Sequence, residues 1–149
     1  MAALLAFLHH VAAFTLVAAL TAEFILLKSE LTLQSARRIR LIDLAFGIAA
    51  ATVLTVGLLR VFWFEKGAAY YFHSWPFIAK LSMFFVVGVL SIYPTIEFLS
   101  WGKAVKQGQV PSVSASTMRR LRTVMHIELV GVVAIILFAV LMARGIGVF

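Results

Sequence analysis

The polar residues able to do chemistry are few, and most sit inside long apolar runs. His9 and His10 are consecutive in the first run, Arg60 closes the second, His73 lies in the loop that follows, and Lys80 lies about one turn into the third, together one expected polar layer. Neutral imidazole is a common ligand for haem iron, and cavities between bundle helices often hold cofactors. On a helix, His9 shares a face with Ala2, Ala6, Ala13, Leu16, Leu20 and Glu23, a stripe whose small residues suit close packing. His10 points about 100° away. His9 is therefore the better candidate for the bundle interior, with His10 taking that place if the helix is rotated. The plain alternative is a hydrogen-bonded core histidine. Lys80 either snorkels to the headgroups or turns inward, where its ammonium would meet a cofactor propionate or substrate carboxylate, or its neutral amine a metal.

A second polar layer lies nearer the other helix ends: Glu23, Asp43, Glu97, His126 and Glu128. Carboxylates one or two turns inside a helix end are expected to pair with flanking arginines. A metal site from Glu23, Glu97, His126 and Glu128 is the alternative reading. However, no Glu-x-x-His pair of the di-iron type occurs, and His126 and Glu128, two apart, diverge on a helix. The absence of cysteine removes disulfides, thiolate metal sites and cysteine nucleophiles.

Four apolar stretches must position these groups, at roughly 2–27, 41–64, 76–101 and 121–143. Each reaches the roughly 20 residues needed to cross about 30 Å of hydrocarbon. The runs are continuous rather than alternating, which excludes a β-barrel. The chain is 63% hydrophobic and 13% charged, with a mean hydropathy of +1.05; a soluble domain carries about twice that charge. The expected fold is all-α, a single transmembrane domain over 1–149 built as an antiparallel up-down four-helix bundle. The first run reads as a retained helix, since no basic residue precedes it as a signal peptide requires. Ser74 and Pro76 mark the start of the third helix.

The net charge of +7 sits in short loops, so the expected partner is the lipid bilayer, with its anionic headgroups, and no nucleic acid. Nine of the 13 basic residues flank the first and third loops, among them Arg37, Arg38, Lys103 and Arg119. The positive-inside rule then places those loops in the cytoplasm and both termini on the outer face, the periplasm of a bacterial inner membrane. Trp63, Tyr70, Tyr71 and Trp75 read as an outer aromatic belt, and Trp101 as the inner boundary. Between the two polar layers the middle carries no ionisable residue, which argues against ion-coupled transport.

Several short motifs carry a resemblance. They are Phe7-Leu8-His9-His10, Ala36-Arg37-Arg38-Ile39-Arg40, Trp75-Pro76-Phe77-Ile78-Ala79-Lys80 and Met118-Arg119-Arg120-Leu121-Arg122. In this order, over most of its length, the chain resembles the HemJ-type protoporphyrinogen oxidases and their CopD-like relatives, and beside them a sister family of predicted membrane proteins of unknown function. The resemblance implies a b-type haem held by the first-helix histidine, His9 or His10, and by Lys80, the residue also implicated in activity. Two family motifs are absent: the late Tyr-His of the third helix reads Tyr93-Pro94, and Asn-Glu-x-Pro reads Arg122-Thr123-Val124-Met125.

The leading expectation is thus an inner-membrane redox protein binding haem b or a related tetrapyrrole, with His9, His10, Lys80 and Arg60 around the cofactor. The competing expectation is a non-catalytic accessory or assembly subunit, present as a homo-oligomer or in a larger membrane complex. A third is an enzyme or binder acting on a lipid or quinone from the outer layer.

Overall fold

The computed structural model describes residues 1–147 and residue 149. The chain is an all-α membrane bundle, as the four apolar runs predict. Helix α1 spans Ala2–Lys28 and α2 spans Leu33–Leu59, the latter continuing as one wide π turn over Arg60–Phe64. A single turn, α3 (Ala68–Phe72), leads to α4 (Trp75–Ser100); a short α5 (Gly102–Lys106) precedes α6 (Ala115–Ala143). The four long helices alternate in direction. α1 packs on α2 and α6, and α4 on α6 and α2, with α1–α2 and α4–α6 the closest pairs.

Two helices begin earlier than the apolar runs imply. Thr32 and Ser35 form a reciprocal capping box, each hydroxyl accepting the other's backbone N–H at 3.1 and 2.8 Å. Ser114 caps α6 by accepting from the Thr117 amide. These caps satisfy amides that would otherwise be orphaned, so α2 and α6 project as polar helix beyond the apolar stretch. Glu128 consequently lies near the midpoint of α6. α4 starts as predicted, with Ser74 as N-cap and Pro76 in the first turn.

The larger apolar core fills the half of the bundle remote from the termini, around Leu20, Leu27, Ile39, Phe98, Leu121 and Met125. Trp101 belongs to it rather than to an interfacial belt. It is only 3% exposed, meets the Phe98 ring edge-to-face and donates its indole N–H to Glu97. At the terminal end a much smaller cluster, Val61, Tyr71 and Phe77, closes the bundle. Tyr71 likewise leaves the expected belt for the interior, while Trp63 and Trp75 stay exposed. The C-terminal segment folds back on this end: Trp75 donates its amide to Gly147, and Phe149 donates to the His73 carbonyl.

Candidate functional site at the terminal end

Of the consecutive histidines, only His9 turns inward. Its imidazole lies against α2 beside the Val53 carbonyl and Gly57. A Cβ at Gly57 would stand 3.1 Å from His9 Cε1, so the missing side chain is what seats the ring. His9 Nδ1 is buried there, and the polar group that the ring meets is the Val53 backbone, at a geometry too poor for a full hydrogen bond. His10 faces outward and is satisfied within its own helix, its Nδ1 2.6 Å from the Ala6 carbonyl oxygen. The sequence leaves both registers open; the packing of α1 on α2 selects His9.

Lys80 is half-buried on α4 and turns towards α6. Its Nζ lies 3.9 Å from Met142 Sδ and 5.6 Å from the centre of the Phe77 ring. Lys80 and Arg60 are the cations whose charge reaches His9. His9 of α1, Arg60 at the start of the π turn and Lys80 of α4 therefore lie at the same end of the bundle. His73, expected in the same layer, is not part of this cluster, being exposed and bonded to the Ala69 carbonyl.

Two members of this cluster are not singled out by the sequence pattern. Glu65, just after the π turn, forms an ion pair with Arg60 and accepts a hydrogen bond from the Tyr71 hydroxyl. Arg60 is thus already neutralised, although its Nε remains buried and unpartnered. An Arg-x-x-x-x-Glu spacing across a helix end is the only sequence signal for this pair, and it requires the wide turn to bring the ends together. Partial burial opposes ionisation of Glu65, but the bonds from Tyr71 and Arg60 outweigh it and hold its carboxyl below the usual carboxylate range. Burial and the bonded Glu65 carboxylate push the Tyr71 phenol up to about 12.

These two shifts set opposite limits. The Glu65 contribution to holding the loop is present above the ordinary carboxylate range and disappears as pH falls through its depressed folded value. The Tyr71 contribution is intact below the ordinary phenol value of about 10 and disappears as pH rises towards about 12. In an ultraviolet titration, Tyr71→Phe is expected to remove the most alkaline phenolate step, and Glu65→Gln to move that step to lower pH. An unchanged titration in both variants would show that the phenol is not held by Glu65.

The second polar layer departs from expectation. Its arginines do not pair with its carboxylates: among the described residues the one ion pair is Arg60–Glu65. Arg40 instead donates to the Phe98 carbonyl at 3.1 Å and Arg122 to the Leu27 carbonyl at 2.7 Å, where helix ends leave carbonyls unsatisfied. Nor do any three histidine or carboxylate side chains among the described residues converge closely enough to hold a metal ion. His126 is exposed beside Phe24, and Glu97 is taken by Trp101.

At the terminal end one buried imidazole nitrogen makes no well-formed hydrogen bond, and one ammonium is bonded to no carboxylate. Arg60 fits the expected role less well, since a cofactor propionate would have to compete with Glu65 for it.

A family model described as predicted membrane protein (DUF2214) matches residues 1–147. No curated protein and no solved structure matches the chain.

Proposed function

The chain belongs to that family of predicted membrane proteins, and on this premise we propose that it is a multi-pass protein of the bacterial inner membrane, with both termini in the periplasm, that holds a b-type haem or related tetrapyrrole at its terminal end. The observation behind this reading is the inward-facing His9, whose buried Nδ1 makes no well-formed hydrogen bond, in a layer that also contains Lys80. An unsatisfied polar atom in an apolar interior costs free energy that a ligand can recover. The resemblance to the HemJ-type enzymes points to the same two residues.

His9 would hold the metal and Lys80 would take a propionate or serve as the second ligand. A haem bound there would supply one-electron redox chemistry. The chain's own part is to exclude lipid and water through Tyr71 and Phe77, to fix the imidazole against α2, and to set a positive field through Lys80. Arg60 acts on this layer indirectly, by anchoring Glu65 and through it Tyr71.

The test is an optical spectrum of the full chain purified from haem-replete cells, oxidised and then reduced with dithionite. A Soret band is expected, with sharpened visible bands on reduction. His9→Ala should lower pigment occupancy by about tenfold or more, since it removes the ligand itself, while His10→Ala should leave it intact because that ring faces outward. A colourless wild-type protein, indifferent to His9→Ala and co-purifying with a larger complex, would favour the accessory-subunit reading instead.

A further inference from the structure

The half of the bundle remote from His9 buries three carboxylates that the terminal-end site does not use. Glu23 on α1 and Glu128 on α6 are each 1% exposed, and Asp43 on α2 is 8% exposed. Each lies within electrostatic reach of the other two. Asp43 accepts a hydrogen bond from Thr95 of α4 at 2.8 Å, so all four long helices contribute. Oε1 of Glu23 and Oε1 of Glu128 are buried and bonded to nothing.

No lysine or arginine among the described residues forms an ion pair with these carboxylates, and several charged groups on the surrounding helices are engaged elsewhere. On α1, Lys28 lies over the Phe24 ring, 4.4 Å from its centre. On α2 and α6, Arg40 and Arg122 are bound to backbone carbonyls. On α4, Glu97 accepts from Trp101, and on α6, His126 is exposed. Three buried carboxylates within reach of one another's charge cannot all remain ionised in an apolar interior without a counter-charge, because like charges repel and each ion has lost its hydration. Something positive must reside there.

A cleft reaches one of the three: it opens between α2, α4 and α5 and is lined by Arg37, Arg40, Phe98, Val105 and Lys106 together with Asp43. No three histidine or carboxylate side chains among the described residues converge closely enough to hold a metal ion, whereas a proton needs only a single carboxyl oxygen. We propose that Glu23, Asp43 and Glu128 form a proton-binding site loaded from the loop end of the bundle, Asp43 exchanging with solvent through the cleft and the two glutamates behind it acting as the store. The site is separate from His9 and does not depend on any cofactor there.

The test uses the full chain in lipid nanodiscs with dicyclohexylcarbodiimide, which adds to protonated carboxyls in apolar surroundings and leaves carboxylates unmodified. Peptide mass mapping at neutral pH is expected to find the adduct on Glu23 or Glu128 and none on the exposed Glu30 and Glu65, with yield falling as pH rises. Infrared spectra should show a protonated-acid carbonyl band that shifts in deuterated water and is diminished by Glu23→Gln and by Glu128→Gln. Asp43→Asn, monodisperse and folded, should slow that shift by about tenfold or more. A wild-type protein with neither adduct nor acid band would overturn the proposal, with no variant involved. So would labelling suppressed by sodium, magnesium or zinc salts at constant pH, which would make this a metal-cation site. An Asp43→Asn protein exchanging at the wild-type rate would remove the cleft route and overturn it as well.

Discussion

Gly131→Leu is expected to separate α4 from α6 and to lower the thermal midpoint of the detergent-solubilised protein by on the order of 10 °C. Gly131 is buried on the face of α6 that packs against α4. A Cβ there would lie 2.6 Å from Val87 Cγ2 and 3.7 Å from Met83 Sδ. Val87 is 5% exposed and β-branched, so its methyl cannot rotate away without striking its own helix. In lipid there is little hydrophobic drive between helices, and close packing of small residues holds the pair together. Even Gly131→Ala, which improves helix propensity by about 0.5–1 kcal/mol, must shift Val87. Gly88 supplies the control: it lies on α4 with nothing within 4 Å of an added Cβ, so Gly88→Leu should be neutral or stabilising. The second substitution Val87→Ala should restore part of what Gly131→Leu removes. Equal midpoints for Gly131→Leu and Gly88→Leu would mean that this contact does not hold the bundle together.

Gly57→Leu should have the largest effect on the terminal-end site while leaving most of the core untouched. The His9 ring rests where the Gly57 side chain would be, 3.1 Å from an ideal Cβ at Cε1 and 3.5 Å at Nδ1. An alanine needs only a few tenths of an ångström of give; a leucine fills the seat. The ring must then swing off α2, leaving the layer it shares with Lys80 and Arg60. Modification by diethyl pyrocarbonate, followed by mass spectrometry, reads this without reference to any pigment. In the wild type His9 should react several-fold more slowly than His10, and in Gly57→Leu the two rates should approach each other. The Soret band expected of the wild type should disappear as it does in His9→Ala. If His9 reacts as fast as His10 before any substitution, the inward register is wrong.

The two ends differ in how much of them is legible in the residue order. The four spans and their alternation follow from uninterrupted apolar length, because lipid leaves a continuous apolar segment no alternative to a self-bonded helix. The start of α4 at Ser74 and Pro76 is equally local, a matter of one cap and one fixed φ. The early starts of α2 and α6 depend on capping hydroxyls at Thr32 and Ser114, a signal hidden by the arginine-rich composition around them. Glu65 and Tyr71 are harder still. They join Arg60 only because a π turn ends α2 and a one-turn helix returns the chain beneath it.

The sequence by itself determined a membrane-spanning helical bundle, two polar layers and the short list of groups in each. These are one-dimensional properties: run length, charge position and the turn on which a residue falls. Tertiary structure alone decided which of two adjacent histidines faces in, that Arg60 is bound by Glu65, and that Arg40 and Arg122 serve backbone carbonyls rather than Glu23, Asp43 and Glu128. The physical reason is that helix rotation and the competition for a guanidinium are settled between helices, by close contact at Gly57 and by unsatisfied carbonyls at helix ends. Neither is encoded at any single position in the chain.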